Sequence, residues 1–239
     1  MADEGARAGR GSSVGTAVLS NCVVAWNSAG GVGGGADLSI LYGCRVFSNF
    51  SGNAGGTARS YLTNCVVAFN NYGGARFNVF VANTLFYGNR GWAAYVRTGD
   101  RVENCTFAGN DTGLQTDNNS TVAVVNVISY SNANNWVQND TSVFRFTNSC
   151  TTPATLVWDA SNTTNPPRFV AYGTGLNTNH IPGNYRLAPD SPCINAGLIL
   201  PGMAAATDLD DRPRIDRLFQ RVDMGAYEFM GVGALLRVK

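Results

Sequence analysis

The sequence predicts an all-β protein: a parallel β-helix, that is, a solenoid of about six to seven coils, with an irregular C-terminal cap. Three observations lead to this fold class. A sequence repeat recurs about every twenty residues, apolar side chains alternate with a period of two inside each repeat, and the composition favours turns over helices. Only 14% of the residues are charged, whereas Gly (28) and Asn (26 of 239) are abundant, which is typical of turn-rich β structure.

An Asn or Gly opens each repeat, as in the segments NCVVAWN at 21–27 and NCVVAFN at 64–70. Successive openings are 22, 21, 19, 21, 22 and 22 residues apart. A period this constant indicates stacked coils of one solenoid. The openings are Asn21, Gly43, Asn64, Asn83, Asn104, Asn126 and Asn148.

Apolar and β-branched positions on both sides of each opening predict two inward-facing strands, and the glycine clusters that follow predict a turn and a third, shorter strand. Cys22, Cys44 and Cys65 follow three openings directly, so we expect them to be buried, stacked and reduced. Strands ~4.8 Å apart hold parallel side chains slightly too far apart for an easy disulfide. The sequence leaves open whether Cys150 and Cys193, nearer the cap, form a pair.

A second Asn recurs six residues after each of the first six openings. Equivalent residues of successive coils lie directly above one another in a parallel β-helix. Inward Asn amides at one bend can therefore bond to each other and to the backbone, and so satisfy buried polar groups. The predicted ladder consists of Asn27, Asn49, Asn70, Asn89, Asn110 and Asn132.

The repeats between about residues 15 and 150 resemble the pectin lyase-like superfamily of right-handed parallel β-helix proteins, whose coils carry such asparagine ladders. The resemblance implies that this helix is right-handed. It does not specify a function, because that superfamily includes lyases, hydrolases, adhesins and virus tail proteins.

Beyond Cys150 the period stops, and all eight prolines of the chain follow. The segments NPPRFV, NYRLAPDSPCINAG, TDLDDRPRI and VDMGAYEF occur in this order. Together they resemble the C-terminal segment of bacterial choice-of-anchor Q domain proteins, although Asn195 stands where that family usually has Asp. The resemblance implies a bacterial protein that is secreted or attached to the cell surface.

We therefore divide the chain into coils at 1–150 and a capping segment at 151–239 that packs on the same solenoid. A cap is expected because the end of a β-helix exposes unpaired backbone groups. Residues 11–20 already have the pattern of a coil, and no capping segment is recognisable before them. We expect a longer parent protein, with its other domains as partners.

Charge and hydropathy exclude two classes of partner. The formal net charge is +1, so no electrostatic footprint for nucleic acid is present. No apolar stretch reaches the length of about 18 residues that a membrane span requires. Neither a signal peptide nor an anchor is visible in the sequence.

No catalytic residue is assigned. A hydrolase resembling the polygalacturonases would need Asn-Thr-Asp, Asp-Asp, Gly-His-Gly and Arg-x-Lys motifs on successive coils, and these are not in place. A polysaccharide lyase needs a cation or Arg to neutralise the uronate carboxylate, and a base. The acids of the coils share no repeat position on adjacent coils, and the single Lys is Lys239. A lyase acting on uronate-containing glycans remains an alternative.

No cofactor is expected, but three acids of the tail are candidate calcium ligands: Asp208, Asp210 and Asp211. They stand beside Arg212 and Arg214. Ion pairing within the cap is therefore the favoured interpretation.

The position three residues before each opening faces outward and places Tyr61, Phe80 and Arg101 on adjacent coils. Arg59, together with Arg76 and Arg97 as neighbours on adjacent coils, is expected to flank this row. Aromatic rings beside guanidinium groups suit a sugar that carries carboxylate or sulfate, although aromatic residues on a sheet can also simply pack across strands. The sequence thus favours a non-catalytic module for binding anionic polysaccharide or for adhesion. A purely structural rod is the second alternative.

Overall fold

The computed structural model describes residues 17–77, 80–155, 159–216 and 220–229. It confirms the all-β fold class: three long parallel sheets of seven, seven and six strands wind into a β-helix. The coil pattern predicted at 11–16 lies outside the described residues. Among the described residues, no helix has the length and apolar character needed to cross a membrane.

We number the coils 1 to 7 by their strand in sheet 1. Coils 1 to 6 contribute one strand to each long sheet, and the described part of coil 7 contributes one strand each to sheets 1 and 2. Sheet 1 contains Ala17–Ser20, Ser39–Tyr42, Tyr61–Thr63, Phe80–Ala82, Arg101–Glu103, Thr121–Val125 and Val143–Thr147. Sheet 2 contains Val23–Ala25, Arg45–Phe47, Val66–Ala68, Leu85–Tyr87, Thr106–Ala108, Ile128–Ser129 and Cys150–Thr151. Sheet 3 contains Ala36–Asp37, Thr57–Ala58, Ala75–Arg76, Trp92–Val96, Thr112–Thr116 and Asn134–Val137.

The remaining elements are short. Ser28–Val32 pairs in parallel with Phe50–Asn53. In the C-terminal segment, Phe169–Ala171 pairs with Asn184–Leu187 in antiparallel orientation. Two 3-10 turns lie at Asn177–Asn179 and Met203–Ala205.

Sharp bends between the sheets depend on residues in the left-handed region. All seven opening residues form the first bend, between sheets 1 and 2, with φ between 46° and 64°. Asn and Gly adopt this conformation with the least strain, which explains why they mark the repeat. The second bend, between sheets 2 and 3, directly precedes the ladder asparagines. Its residues have φ between 54° and 69°, and they are Trp26, Ser48, Phe69, Gly88, Gly109 and Ser131.

The interior of the helix is filled by stacked apolar rows. Phe86 and Phe107, on coils 4 and 5, stack with their ring centroids 4.7 Å apart. Cys44 and Cys65 are buried as predicted, but Cys22 is only partly buried. Its coil has a neighbour on one side only among the described residues, so the prediction of burial is wrong for Cys22. All six cysteines are free thiols.

The predicted asparagine ladder is confirmed. The first five ladder amides each donate from Nδ2 to Oδ1 of the next ladder Asn over 2.8–3.1 Å. The backbone N–H of the same Asn donates to that Oδ1 over 2.9–3.1 Å. From Asn49 onward, Nδ2 also donates to a backbone carbonyl oxygen of the preceding coil. Asn135 ends the ladder, because it accepts from Asn132 and donates to the carbonyl of Thr152.

The C-terminal segment first covers the end of the solenoid. Asn162 accepts from the backbone N–H of Ser149 at 2.9 Å and donates to the carbonyl of Phe146 at 2.8 Å. Thr163 forms a parallel bridge with Cys150 of the last coil. These contacts give the end strand the partners that a cap must supply.

The same segment then runs back along the outer face of sheet 2. Asn148 and Asn126 donate to carbonyls of the segment at 2.8 Å each, on coils 7 and 6. Thr106 on coil 5 accepts from a backbone N–H of the segment at 3.0 Å, and Asn64 on coil 3 donates to Thr207 at 3.0 Å. The segment is therefore more than an end cap, because it ties coils 3 to 7 together from the side.

Candidate functional site

The structure brings the predicted row of sheet 1 together. Tyr61 pairs with Phe80, and Phe80 pairs with Arg101, so the three residues occupy equivalent positions on coils 3, 4 and 5. Tyr61 is 44% exposed. The guanidinium carbon of Arg101 lies 5.1 Å from the centroid of the Phe80 ring, within the range of a cation–π contact.

Carboxylates compensate part of the positive charge around this row. Asp37 accepts from Arg59, with a distance of 2.9 Å to Nε, and also ion-pairs with its Nη2. Glu103 accepts from Arg101 in the same way, with 2.9 Å to Nε. Because these pairs are partly exposed, their contribution to stability is small. Each of the two guanidinium groups is thus hydrogen-bonded to a carboxylate at the surface.

Arg76 and Arg97 do not occupy equivalent positions, which corrects the prediction that they are neighbours in the repeat. Arg76 pairs with Tyr95. Three residues separate Arg76 from Phe80, whereas five separate Tyr95 from Arg101, so the bend of coil 4 is longer. The two guanidinium groups still meet at one ring: their carbons lie 4.5 Å and 4.6 Å from the centroid of Phe77.

A groove that sequence reasoning missed lies between the outer face of sheet 2, the second bend and the C-terminal segment. It consists of three adjoining cavities of about 280, 270 and 520 Å³. The first two share Arg45 and Tyr87, and the first and third share Ser48 and Phe69. We call this surface the bend groove. Its defining residues are Trp26, Arg45, Phe47, Ser48, Phe69, Tyr87 and His180.

Several aromatic rings line the bend groove. Phe69 and Tyr87 meet edge to face with their centroids 5.2 Å apart, and Trp26 approaches Phe47 in the same way at 6.4 Å. Trp26 is 79% exposed, the most exposed large apolar side chain among the described residues. Concave surfaces that combine aromatic rings with polar groups are typical of small-ligand sites, and the largest cavity here also carries Asn49, Asn71 and Thr178.

One side of the bend groove is fixed by a buried hydrogen-bonded pair. His180 Nδ1 lies 2.9 Å from the carbonyl oxygen of Gly175, so this nitrogen donates, and Nε2 accepts from the hydroxyl of Tyr185. Burial raises the pKa of Tyr185 to about 12. The imidazole lies against Gly109, where a Cβ would overlap its Cε1 atom. Both ring nitrogens bond within the C-terminal segment and fix the orientation of the ring, while the contact of the ring with Gly109 and the bond from the Asn177 N–H to the Gly109 carbonyl at 2.9 Å hold the segment on coil 5.

The acids considered as calcium ligands occupy different environments. Asp208 is fully buried, and its carboxylate accepts from the backbone N–H groups of Asp210, Arg212 and Glu228 over 2.7–2.9 Å. Asp210 forms ion pairs with Arg186 and Arg212. In the described ranges, no group of three or more His, Cys, Asp or Glu side chains is placed to hold a metal ion.

A buried contact between Arg214 and Glu228 connects the last two C-terminal motifs. Arg214 is 0% exposed, and its Nη2 lies 3.0 Å from Glu228 Oε1. It also donates to the carbonyls of Gly225 and Asp223 at 2.9 Å and 3.0 Å. Burial raises the pKa of Glu228 to about 8. The charged residues of TDLDDRPRI and VDMGAYEF therefore hold the fold of the segment.

No family model, curated protein or solved structure was found to match this chain.

Proposed function

We propose that this chain is a non-catalytic module of a secreted or cell-surface bacterial protein, and that it binds anionic polysaccharide along the outer face of sheet 1. The observation that carries the proposal is the register of Tyr61, Phe80 and Arg101 on three consecutive coils. Consecutive coils are spaced by ~4.8 Å, close to the length of one sugar ring. An extended glycan lying along the helix axis would meet a ring or a guanidinium at each step.

The charges beside the row support an anionic ligand. Arg76 and Arg97 contact Phe77, and neither forms an ion pair within the described part of the chain. A guanidinium that is stacked on a ring keeps donors available for carboxylate or sulfate. Arg59 and Arg101, which already hold acids, are positioned at the edges of the same surface.

The localisation rests on the resemblance of the sequence. The asparagine ladder supports membership of the right-handed pectin lyase-like superfamily, and the four ordered C-terminal motifs support a relation to choice-of-anchor Q domain proteins. A surface module of this kind would carry the row of sheet 1 on a rigid solenoid and present it to polysaccharide outside the cell.

Retention on a column of immobilised polygalacturonate tests the proposal. The variant Tyr61→Ala/Phe80→Ala should be retained more weakly than the unchanged protein, and added salt should weaken the retention of the unchanged protein because exposed charges are screened. Tyr42→Ala is the matched control, since Tyr42 lies on the same sheet and is 49% exposed, but occupies another row. It should be retained normally.

Two results would contradict the proposal. Normal retention of the double variant would show that the row does not bind the polymer. Release of unsaturated uronate products by the unchanged protein, detected by their ultraviolet absorbance, would show a lyase rather than a binding module.

A further inference from the structure

The second bend carries aromatic residues where small residues are expected. Of its six residues in the left-handed region, four are Ser or Gly, and the other two are Trp26 with φ 59° and Phe69 with φ 55°. A bulky side chain at positive φ is strained. Trp26 is so exposed that burial recovers little of this cost. Phe69 offsets part of its strain by packing on Tyr87. At Trp26 the strain is retained with little burial, and such strain points to function.

The order of these residues along the helix axis forms a notch. Trp26, Ser48 and Phe69 are the second-bend residues of coils 1, 2 and 3, so the two aromatic residues are about 10 Å apart along the axis, from two coil steps. The small side chain of Ser48 lies between them. An apolar contact needs ~4 Å on each side of a ligand. The notch therefore has room for one saturated ring between two aromatic side chains.

The adjoining part of the bend groove is basic. Arg45 lines two of its three cavities, is exposed, and forms no ion pair within the described part of the chain. Arg186, which lines the second cavity, is held by Asp210. No Asp or Glu is among the described residues that line the three cavities. The free charge near the notch is thus positive.

We infer that the bend groove is a second glycan site, separate from the row on sheet 1, which takes one pyranose ring of an acidic oligosaccharide between Trp26 and Phe69 and its carboxylate or sulfate at Arg45. This inference rests on the proposed function, since it names a further site for the same class of ligand. The two sites lie on different faces of the solenoid. One molecule would therefore hold two glycan chains at once.

The substitution Trp26→Asn tests the notch without disturbing the bend, because Asn tolerates positive φ better than Ala does. If Trp26 serves binding, the melting temperature of this variant stays the same or rises. If the ring serves the fold, the melting temperature falls, and that result would overturn the inference. Phe69→Asn is the second variant, but it also loses the packing of Phe69 on Tyr87.

Calorimetric titration with hexagalacturonate counts the sites. The unchanged protein should bind two molecules, and Trp26→Asn should bind one. Tyr61→Ala/Phe80→Ala should also bind one molecule, at the bend groove. Arg45→Gln should weaken binding at the groove site about tenfold, as expected for the loss of one charge-assisted hydrogen bond in a partly desolvated contact. Arg90→Gln, at an exposed Arg that lines none of the three cavities, should leave it unchanged.

The outcomes separate the two proposals. A single site that disappears in Tyr61→Ala/Phe80→Ala and persists in Trp26→Asn would overturn the groove site and leave the proposed function standing. A single site that disappears only in Trp26→Asn would support the groove and overturn the role of the sheet 1 row. Absence of any binding by the unchanged protein would overturn both.

Discussion

Removing one internal rung of the asparagine ladder should destabilise the protein far more than removing the outermost rung. Asn70 is fully buried and takes part in four side-chain hydrogen bonds. It donates to Asn89 Oδ1 at 3.1 Å and to the Val46 carbonyl at 3.0 Å. Its own Oδ1 accepts from the backbone N–H and from Nδ2 of Asn49, both at 3.0 Å. The substitution Asn70→Ala deletes all four.

The magnitude follows from this count. Four hydrogen bonds at about 1 kcal/mol each contribute about 4 kcal/mol. The backbone N–H of Asn49 is left buried without its acceptor, which adds about 1–3 kcal/mol. Asn27→Ala, by contrast, deletes one side-chain bond of 3.1 Å at a partly buried end of the ladder, so about 1 kcal/mol is expected.

Urea denaturation followed by far-ultraviolet circular dichroism measures both variants against the unchanged protein. Asn70→Ala should lower the free energy of unfolding by about 5–7 kcal/mol, a large part of the stability of a typical domain. If Asn70→Ala costs no more than Asn27→Ala, the ladder does not supply the stability that its geometry indicates, and the reasoning fails.

Three further predictions concern the thiols, the groove and the C-terminal segment. Thiol titration under denaturing, non-reducing conditions should count six thiols, because the structure pairs none of the six cysteines; a lower count would contradict it. Gly109→Ala should cost about 1–3 kcal/mol more in urea denaturation than Gly99→Ala, since both glycines have positive φ but only the former meets His180. Equal costs would refute the proposed contact. Glu228 has a folded pKa of about 8 against an ordinary value of 4.5, so the folded state binds more protons between these values and stability falls as the pH rises through this window. Melting temperatures measured across this pH range should fall less steeply for Glu228→Gln than for the unchanged protein. An equally steep fall in both proteins would show that other groups cause the pH dependence.

The periodic part of the fold could be predicted from the sequence because stacking imposes it. Equivalent positions of adjacent coils must meet, so residues such as Asn49 and Asn70 recur at matching intervals and reveal their shared bend. The outward register of Tyr61 and Phe80 follows from the same alternation. Repeat spacing no longer predicts which residues are neighbours where a bend changes length. Arg76 therefore pairs with Tyr95 and not with Arg97.

The bend groove could not be predicted in the same way. One side of it comes from His180 and its neighbours, in a segment without any period, and no rule of repeat spacing places that segment against Phe69. One signal was nevertheless present in the sequence. At the position before each ladder Asn, Trp26 and Phe69 stand among Ser and Gly. The structure shows why these two aromatic residues are unusual, because all residues at this position have positive φ.

The lateral course of the C-terminal segment determines how the molecule would respond to mechanical load. Among the described residues, its side-chain hydrogen bonds to the coils run from Asn148 on coil 7 to Asn64 on coil 3. Within that part of the chain, coils 1 and 2 are held by strand pairing and by the asparagine ladder. A force pulling at the N-terminal end would peel these two coils first and carry Trp26 away from Phe69. The row from Tyr61 to Arg101 lies wholly within the braced coils. Under tension, the two aromatic side chains of the bend groove would separate, whereas the row on sheet 1 would keep its geometry.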